Sequence, residues 1–220
     1  MTAHHPFTIP EDKKILTLPK RYQDNMVGDY ITAQHYADNA LGQFITDLKD
    51  SGLWDNSIIV IYGDHLGIPQ HALDKRGHQL MNEIYGYDYS YKDMINIPLI
   101  LSIPDTEMPE QREQLGGQID IAPTLANLLG VSMDNQIHFG QDLFNQSNNL
   151  LPQRYYLPSG SFLNEETLFI SGSDYHDGVE YSLRDDNNEQ AVTTTKKSQY
   201  ERALELLHLS NSYIRQLPDR

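Results

Sequence analysis

Cysteine is absent from the 220 residues. That excludes disulfides, zinc-thiolate sites and thiol nucleophiles, and it suits either a cytosolic chain or an extracellular bacterial one. Long apolar runs are missing as well, and none approaches the roughly 18 residues that a membrane-spanning helix requires. The amino terminus, Met1-Thr2-Ala3-His4-His5-Pro6-Phe7, has no basic stretch leading into an apolar one, so no secretory leader is readable there. Positive charge is scarce. Sixteen Lys+Arg stand against 31 Asp+Glu, a net charge of −15 spread along the chain rather than gathered in a tail. Such a surface repels nucleic acid and anionic headgroups, so no nucleic-acid partner is expected. An anionic substrate can still be drawn in where a bound cation inverts the local field.

What is present suffices for a folded body: 39% hydrophobic content supports a buried core. From about Asp24 to Ser51 the apolar positions Tyr30, Ala33, Ala37, Ala40, Leu41, Phe44, Ile45 and Leu48 follow helical spacing, and Gly52 reads as a left-handed terminator of the Schellman type. The run Ser57-Ile58-Ile59-Val60-Ile61-Tyr62 is continuous and β-branched, the pattern of a strand covered on both faces in a parallel sheet. A second run, Ile97 to Ile103, reads as another strand, bounded by Pro98 and Pro104. Asp120 to Gly130 predicts a short helix with Asp120 as N-cap, its carboxylate accepting from Ala122, and Gly130 as the stop.

Beyond about Leu151 short strand-like runs, Arg154–Leu157, Thr167–Ile170 and Val179–Leu183, alternate with turn signals such as Asp177-Gly178 and Asp185-Asp186-Asn187-Asn188. They predict a small antiparallel sheet. A helix from about Lys196 to Gln216 carries Tyr200, Leu204, Leu207, Ile214 and Leu217 on one stripe and is expected to pack on that sheet.

Chemistry concentrates in Tyr62-Gly63-Asp64-His65-Leu66-Gly67, directly after the first strand. Ligands gather at the carboxyl ends of strands in open α/β sheets. Side chains of neighbours on an extended strand point to opposite faces, so Asp64 and His65 share an ion only where the backbone turns sharply, and glycines on both sides permit that. A carboxylate beside an imidazole suits Mn²⁺, Zn²⁺ or Fe²⁺ better than Ca²⁺. On the dipeptide alone a surface loop with incidental polar residues remains open.

Near the amino terminus, His4 and His5 before Pro6-Phe7 could set an imidazole on a phosphate or sulfate oxygen, or could be a terminal feature without a role. His71 and His78 lie in the connection of about 30 residues between the two strands, a length often used for lids and binding loops. Tyr85, Tyr87, Tyr89 and Tyr91 follow at every second position, which reads as an extended segment used in packing or in contacts to a polar substrate. His35 and His138 read as structural.

Taken together, the run Tyr36-Ala37-Asp38-Asn39-Ala40-Leu41-Gly42-Gln43-Phe44, then Leu48-Lys49, Gly52-Leu53, Asp55-Asn56-Ser57 and Tyr62-Gly63-Asp64-His65, resembles the alkaline phosphatase superfamily. The branch is that of the sulfatases and the lipoteichoic acid synthases, which are phosphoglycerol transferases. The likeness continues through Gly117-Gln118-Ile119-Asp120-Ile121-Ala122-Pro123-Thr124 and Gly140, Asp142-Leu143-Phe144, so it covers about residues 1–150.

A helix followed by a buried strand reads as α/β; the resemblance makes 1–150 part of a sulfatase-like sheet with flanking helices, the carboxy-terminal half of a catalytic domain, while the strand runs and helix beyond it read as a small α+β subdomain over 151–220. It makes Asp64 and His65 metal ligands, and His4 a substrate-phosphate contact through the family's His-x-Pro-Phe segment; a slip of one residue gives that role to His5. The family's threonine nucleophile and glutamate ligand lie further toward the amino terminus and have no counterpart here, nor do its membrane helices, and the polar residue usual before the first histidine is Ala3. Met1 therefore reads as the start of a fragment, with no catalytic nucleophile in the chain.

For the full-length enzyme the resemblance implies Mn²⁺ or Mg²⁺, phosphatidylglycerol as donor, a polyglycerolphosphate acceptor, and a membrane-anchored place on the extracellular face of a bacterial cytoplasmic membrane. Sulfate or phosphodiester hydrolysis on the same fold, and a non-catalytic extracellular interaction module, stay open as alternatives. With the first half of the sheet missing, exposed strand edges and apolar faces are expected, and with them a hazard of dimerisation or aggregation of the chain.

Overall fold

The computed structural model describes residues 4–107, 111–184 and 196–218, and its longest element lies where the periodicity predicts it: helix α1, Met26–Asp50. Asn25 caps it, its side chain accepting from the Val27 N–H at 2.9 Å. At the far end Gly52 takes φ 72°, its N–H donates to the Lys49 carbonyl and the Leu53 N–H to the Leu48 carbonyl. That bond pair defines the predicted Schellman ending. The apolar stripe is buried only over its first half: Val27 and Ala33 are fully covered, whereas Phe44 is 54% exposed.

The fold is α/β, and the chain divides into two compact units, Met1–Pro109 and Glu110–Arg220. In the first unit strand β1, Ile59–Tyr62, and strand β2, Leu99–Ser102, form a two-stranded antiparallel sheet with Ile59 opposite Ser102 and Tyr62 opposite Leu99. This corrects the expectation of a parallel strand covered on both faces: Tyr62 is 49% and Ile100 53% exposed. A continuous apolar run reports a demand for burial, and strand direction is not written in it.

Between the two strands the chain is not a loose loop but carries helix α2, Lys75–Tyr85, and the short α3, Tyr91–Ile95. The tyrosine run is therefore not an extended segment. Tyr85 ends α2, Gly86 closes it with φ 80°, and Ser90 begins α3 through a capping box with Asp93. The core of the unit gathers Phe7, Ile9, Val27, Ala33, Ile68 and Tyr89 with the buried faces of α2 and α3. Gly28 lets the turn at Lys20–Tyr22 lie directly on α1, because a Cβ there would stand 1.8 Å from the Tyr22 carbonyl oxygen.

In the second unit helix α4, Ile121–Leu128, continues from a 3₁₀ turn at Gln118–Asp120. Asp120 is thus inside a helical stretch, with αR backbone and no N-cap bond to α4, which corrects the capping role expected of it. Its carboxylate is fully buried and instead accepts from the Gly117 N–H (2.8 Å), the Gln141 N–H (2.7 Å) and the Asn149 amide (2.7 Å). Gly130 stops the helix at φ 65° as predicted, with a second Schellman pair, Gly130 to Asn127 and Val131 to Ala126.

The predicted small antiparallel sheet is a four-stranded meander of β3 (Leu151–Gln153), β4 (Ser161–Leu163), β5 (Thr167–Ile170) and β6 (Val179–Ser182). Arg154–Leu157, expected as a strand, is a turn instead, with Tyr156 at φ 55°, so the strand begins before it. Helix α5, Lys197–Gln216, packs on β3 and β4. Ala203 and Tyr200 meet the Phe162 and Phe169 rings, which lie tilted at 31° to each other, and Ile214 lies outside that contact at 60% exposure. The turn signal Asp185–Asn188 and Ala3 lie outside the described residues.

Candidate functional site

The carboxyl end of β1 leads straight into the Gly63–Gly67 turn. Gly63 N–H donates to the Pro98 carbonyl at 3.1 Å and Gly67 N–H to the Met94 carbonyl at 2.9 Å, so both arms of the turn are pinned to the α3–β2 segment. Neither glycine has a positive φ. The permissiveness expected of them is therefore not what the turn uses. Gly63 serves close approach: a Cβ there would sit 3.0 Å from the Ile97 Cβ, tighter than ordinary contact, while at Gly67 a Cβ would make only ordinary contact.

The sharp turn brings chain neighbours together. His65 Nε2 lies 3.6 Å from Asp64 Oδ1, with the imidazole 42% and the carboxylate 71% exposed. A contact this open to water adds little to stability. The His65 Nδ1 stands 2.7 Å from the Leu66 carbonyl oxygen. A carbonyl only accepts, so Nδ1 carries the proton in that contact and the neutral ring keeps its lone pair on Nε2. Metal-ligating histidines are oriented by that kind of contact.

The third sequence candidate arrives from the amino terminus. His4 stands edge-on to His65 with ring centroids 5.3 Å apart, and its own Nδ1 lies 2.9 Å from the His5 carbonyl oxygen. Phe7 is what holds His4 there. The Phe7 N–H donates to the His4 carbonyl at 2.7 Å, and the ring is buried to 3% exposure against Tyr30, centroids 5.0 Å apart. Phe7 takes φ 66°, which costs a non-glycine residue roughly 1–2 kcal/mol. Burying a phenylalanine is worth about 1.5–3 kcal/mol, so the burial offsets the strain. His5 turns to Phe7, ring centroids 5.6 Å apart.

A cation fits the two donors. Oxygen and nitrogen atoms each about 2.1 Å from a tetrahedral ion stand roughly 3.4 Å apart, close to the 3.6 Å seen here. Among the described residues no third His, Asp, Glu or Cys joins them to make a three-donor group. Of the other histidines, His71 and His35 are exposed, and His138 Nδ1 lies 2.9 Å from the Gly140 carbonyl oxygen in the other unit. Tyr89 was placed by sequence in a run read as packing or substrate contact. It is buried, and its hydroxyl donates to the Ile68 carbonyl at 2.7 Å, just past the turn. Only the odd-numbered spacing hinted at it.

A family model described as Sulfatase matches residues 2–131. The chain is 37% identical over 153 residues to lipoteichoic acid synthase 1 of Bacillus subtilis (strain 168), a match covering 68% of this chain and 23% of that one. It is 31% identical over 217 residues to the lipoteichoic acid synthase of Staphylococcus aureus (strain USA300), covering 94% of this chain and 30% of that one. Among solved structures, the lipoteichoic acid synthase LtaP from Listeria monocytogenes superposes with TM-score 0.88 at 36% identity, over 100% of this chain and 53% of that one. A Vibrio parahaemolyticus protein of the alkaline phosphatase superfamily shares the fold, with TM-score 0.67 at 20% identity. The chain spans about half the length of those two solved chains and less than a third of the two curated relatives.

Proposed function

The chain belongs to the sulfatase family, with the alkaline phosphatase superfamily fold, and we propose that it is part of a metal-dependent phosphoglycerol transferase. In this reading the whole protein draws on phosphatidylglycerol to build or prime polyglycerolphosphate, the backbone of lipoteichoic acid. The observation that carries it is the convergence of His4, Asp64 and His65, within the fold shared with proteins named lipoteichoic acid synthases.

Asp64 and His65 would hold a divalent cation, Mn²⁺ or Mg²⁺, whose contribution when bound is to offset charge on the reacting phosphate and lower the pKa of an attacking hydroxyl. His4 would contact a phosphate oxygen through Nε2, its Nδ1 being held by the His5 carbonyl. The Leu66 carbonyl keeps the His65 Nε2 lone pair turned outward. The threonine nucleophile and a glutamate ligand belong to a part of the protein outside residues 1–220.

Residues 1–150 then form the carboxy-terminal half of the catalytic domain and 151–220 a small α+β subdomain. The exposed Tyr62, Leu99 and Ile100 of β1 and β2 are apolar surface that a larger catalytic domain, or a second copy of this chain, would cover. The extracellular side of a bacterial cytoplasmic membrane is where such a substrate is met; among the described residues no helix is long and apolar enough to cross a membrane. The family model supports a second reading, ester hydrolysis of sulfate or phosphodiester on the same site.

Two donors make a weak site, so calorimetric titration of the 220-residue chain with Mn²⁺ is expected to show weak, non-stoichiometric binding and no turnover of phosphatidylglycerol. Tight one-to-one binding, or turnover by this chain alone, would overturn that division of the site. In the longer protein, diacylglycerol release with transfer to a glycerol hydroxyl supports the transferase, whereas transfer to water alone supports the hydrolase.

A further inference from the structure

We propose that Tyr89 is a positioning residue for the turn that presents Asp64 and His65. The inference rests on the reading of those two as cation ligands and adds what holds them in place. Tyr89 is 4% exposed, in a core with Ile68 and Met94 at 1% and 2%. Its hydroxyl donates to the Ile68 carbonyl at 2.7 Å, one residue beyond the Gly67 N–H that donates to the Met94 carbonyl at 2.9 Å. Two consecutive residues after His65 and Leu66 are thus tied to one short stretch, residues 89–94. The Leu66 carbonyl that sets the His65 ring lies immediately before them.

The stretch is itself built to stay still. The Ser90 N–H and hydroxyl both donate to Asp93 Oδ2 at 2.8 Å, closing the cap of α3, and the Tyr87 hydroxyl donates to Asp93 Oδ1 at 2.9 Å. The Tyr89 N–H donates to the Asn82 side chain at 2.9 Å, and Gln70 donates to the Tyr89 carbonyl at 3.3 Å. Burial pushes the Tyr89 phenol well above its ordinary value, helped by nearby Tyr85, which favours the protonated hydroxyl that donates to the Ile68 carbonyl. Nothing in this network touches the proposed ion. It acts on the two ligands through the backbone between residues 65 and 68.

The test is Tyr89→Phe in the full chain, followed by NMR of the histidine side chains. The ring nitrogens of His65 report the fraction of the Nδ1–H tautomer, and His138, with the same carbonyl contact in the other unit, is the internal reference. Added Mn²⁺ alone then reports occupancy through paramagnetic broadening of the Asp64 and His65 signals. The expected result is an unchanged His138, a loss of the Nδ1–H preference at His65, and a roughly three- to tenfold rise in the Mn²⁺ concentration at half-broadening. That is milder than the 10- to 100-fold typical of a group bonded directly to a ligand.

Wild-type values for His65 in both readouts would overturn the proposal. Should wild type show no broadening at Asp64 and His65, the ligand reading fails, and the tautomer measurement still decides whether Tyr89 sets the ring. Ser90→Ala, at a half-buried position that opens no core cavity, loosens α3 and with it the Met94 tie; a His65 change in the same direction supports the clamp, and none counts against it.

Discussion

The His4 ring meets the His65 ring edge-on at 5.3 Å between centroids, joining the start of the chain to the turn after β1. Asp64 completes the group from the neighbouring position, 3.6 Å from His65 Nε2. Because the three side chains carry different proposed roles, they separate by experiment. Asp64→Ala and His65→Ala are each expected to raise the Mn²⁺ concentration needed for half-broadening roughly tenfold or more, one donor being worth at least about 1.4 kcal/mol. His4→Ala leaves that concentration within about twofold while weakening phosphate-ester binding in the full-length enzyme. Equal effects of all three on Mn²⁺ would place His4 among the ligands.

Asp120 gives the largest expected stability effect in the second unit. Asp120→Ala strands three N–H donors that it now satisfies, those of Gly117, Gln141 and Asn149, with an expected loss of roughly 3–5 kcal/mol. Asp120→Asn retains one acceptor oxygen and should lose only about 1–2 kcal/mol. Urea unfolding of both variants against wild type decides it. A neutral Asp120→Ala would mean that water replaces the carboxylate.

Gly28→Ala tests the close approach at the head of α1. An added methyl carbon would stand 1.8 Å from the Tyr22 carbonyl oxygen, which is backbone and cannot rotate away, so the turn at 20–22 must lift off the helix. A loss of at least about 2 kcal/mol is expected. Gly42→Ala, where an added Cβ meets nothing within 4 Å, should instead gain up to about 1 kcal/mol from better helix propensity.

A pH dependence is expected in the β5–β6 loop. The Ser173 hydroxyl, then the Asp174 and Ser173 N–H groups, hold the Asp177 carboxyl down to about 2. A carboxyl depressed in the folded state contributes stability that is fully present above its unfolded value, near pH 4, and that is lost as pH falls toward 2. Carboxyl-carbon NMR should give an Asp177 midpoint near that value, and Ser173→Ala should raise it. The side chain is fully open to water, so the effect belongs to the loop and not to global unfolding.

What the sequence made legible was local chemistry. Gly52 and Gly130 each end a helix by the same left-handed device because a residue without Cβ is needed at that spot, and Thr167–Ile170 is bounded by turns that can be read in order. Partners distant in the chain were not legible. The Ile59–Tyr62 run asks for cover without naming Leu99–Ser102 as its antiparallel neighbour. Asp120 looks like a cap until Gln141 and Asn149 are seen to claim its oxygens. In the site, Asp64 and His65 were visible as a pair, and His4 as a motif residue. The anchor that delivers His4, Phe7 buried against Tyr30, and the tie from Tyr89 to the Ile68 carbonyl depend on contacts that no spacing encodes.

The Asn149 amide that donates to Asp120 at 2.7 Å sits at 6% exposure, and asparagine is among the less durable residues on heating. Its slow hydrolysis to aspartate would exchange a donor for a second negative charge beside a buried one, a pairing that proteins tolerate only by taking up a proton. An aspartate at position 149 would therefore be expected to loosen the head of α4 and the segment at Gln141, which share the Asp120 carboxylate.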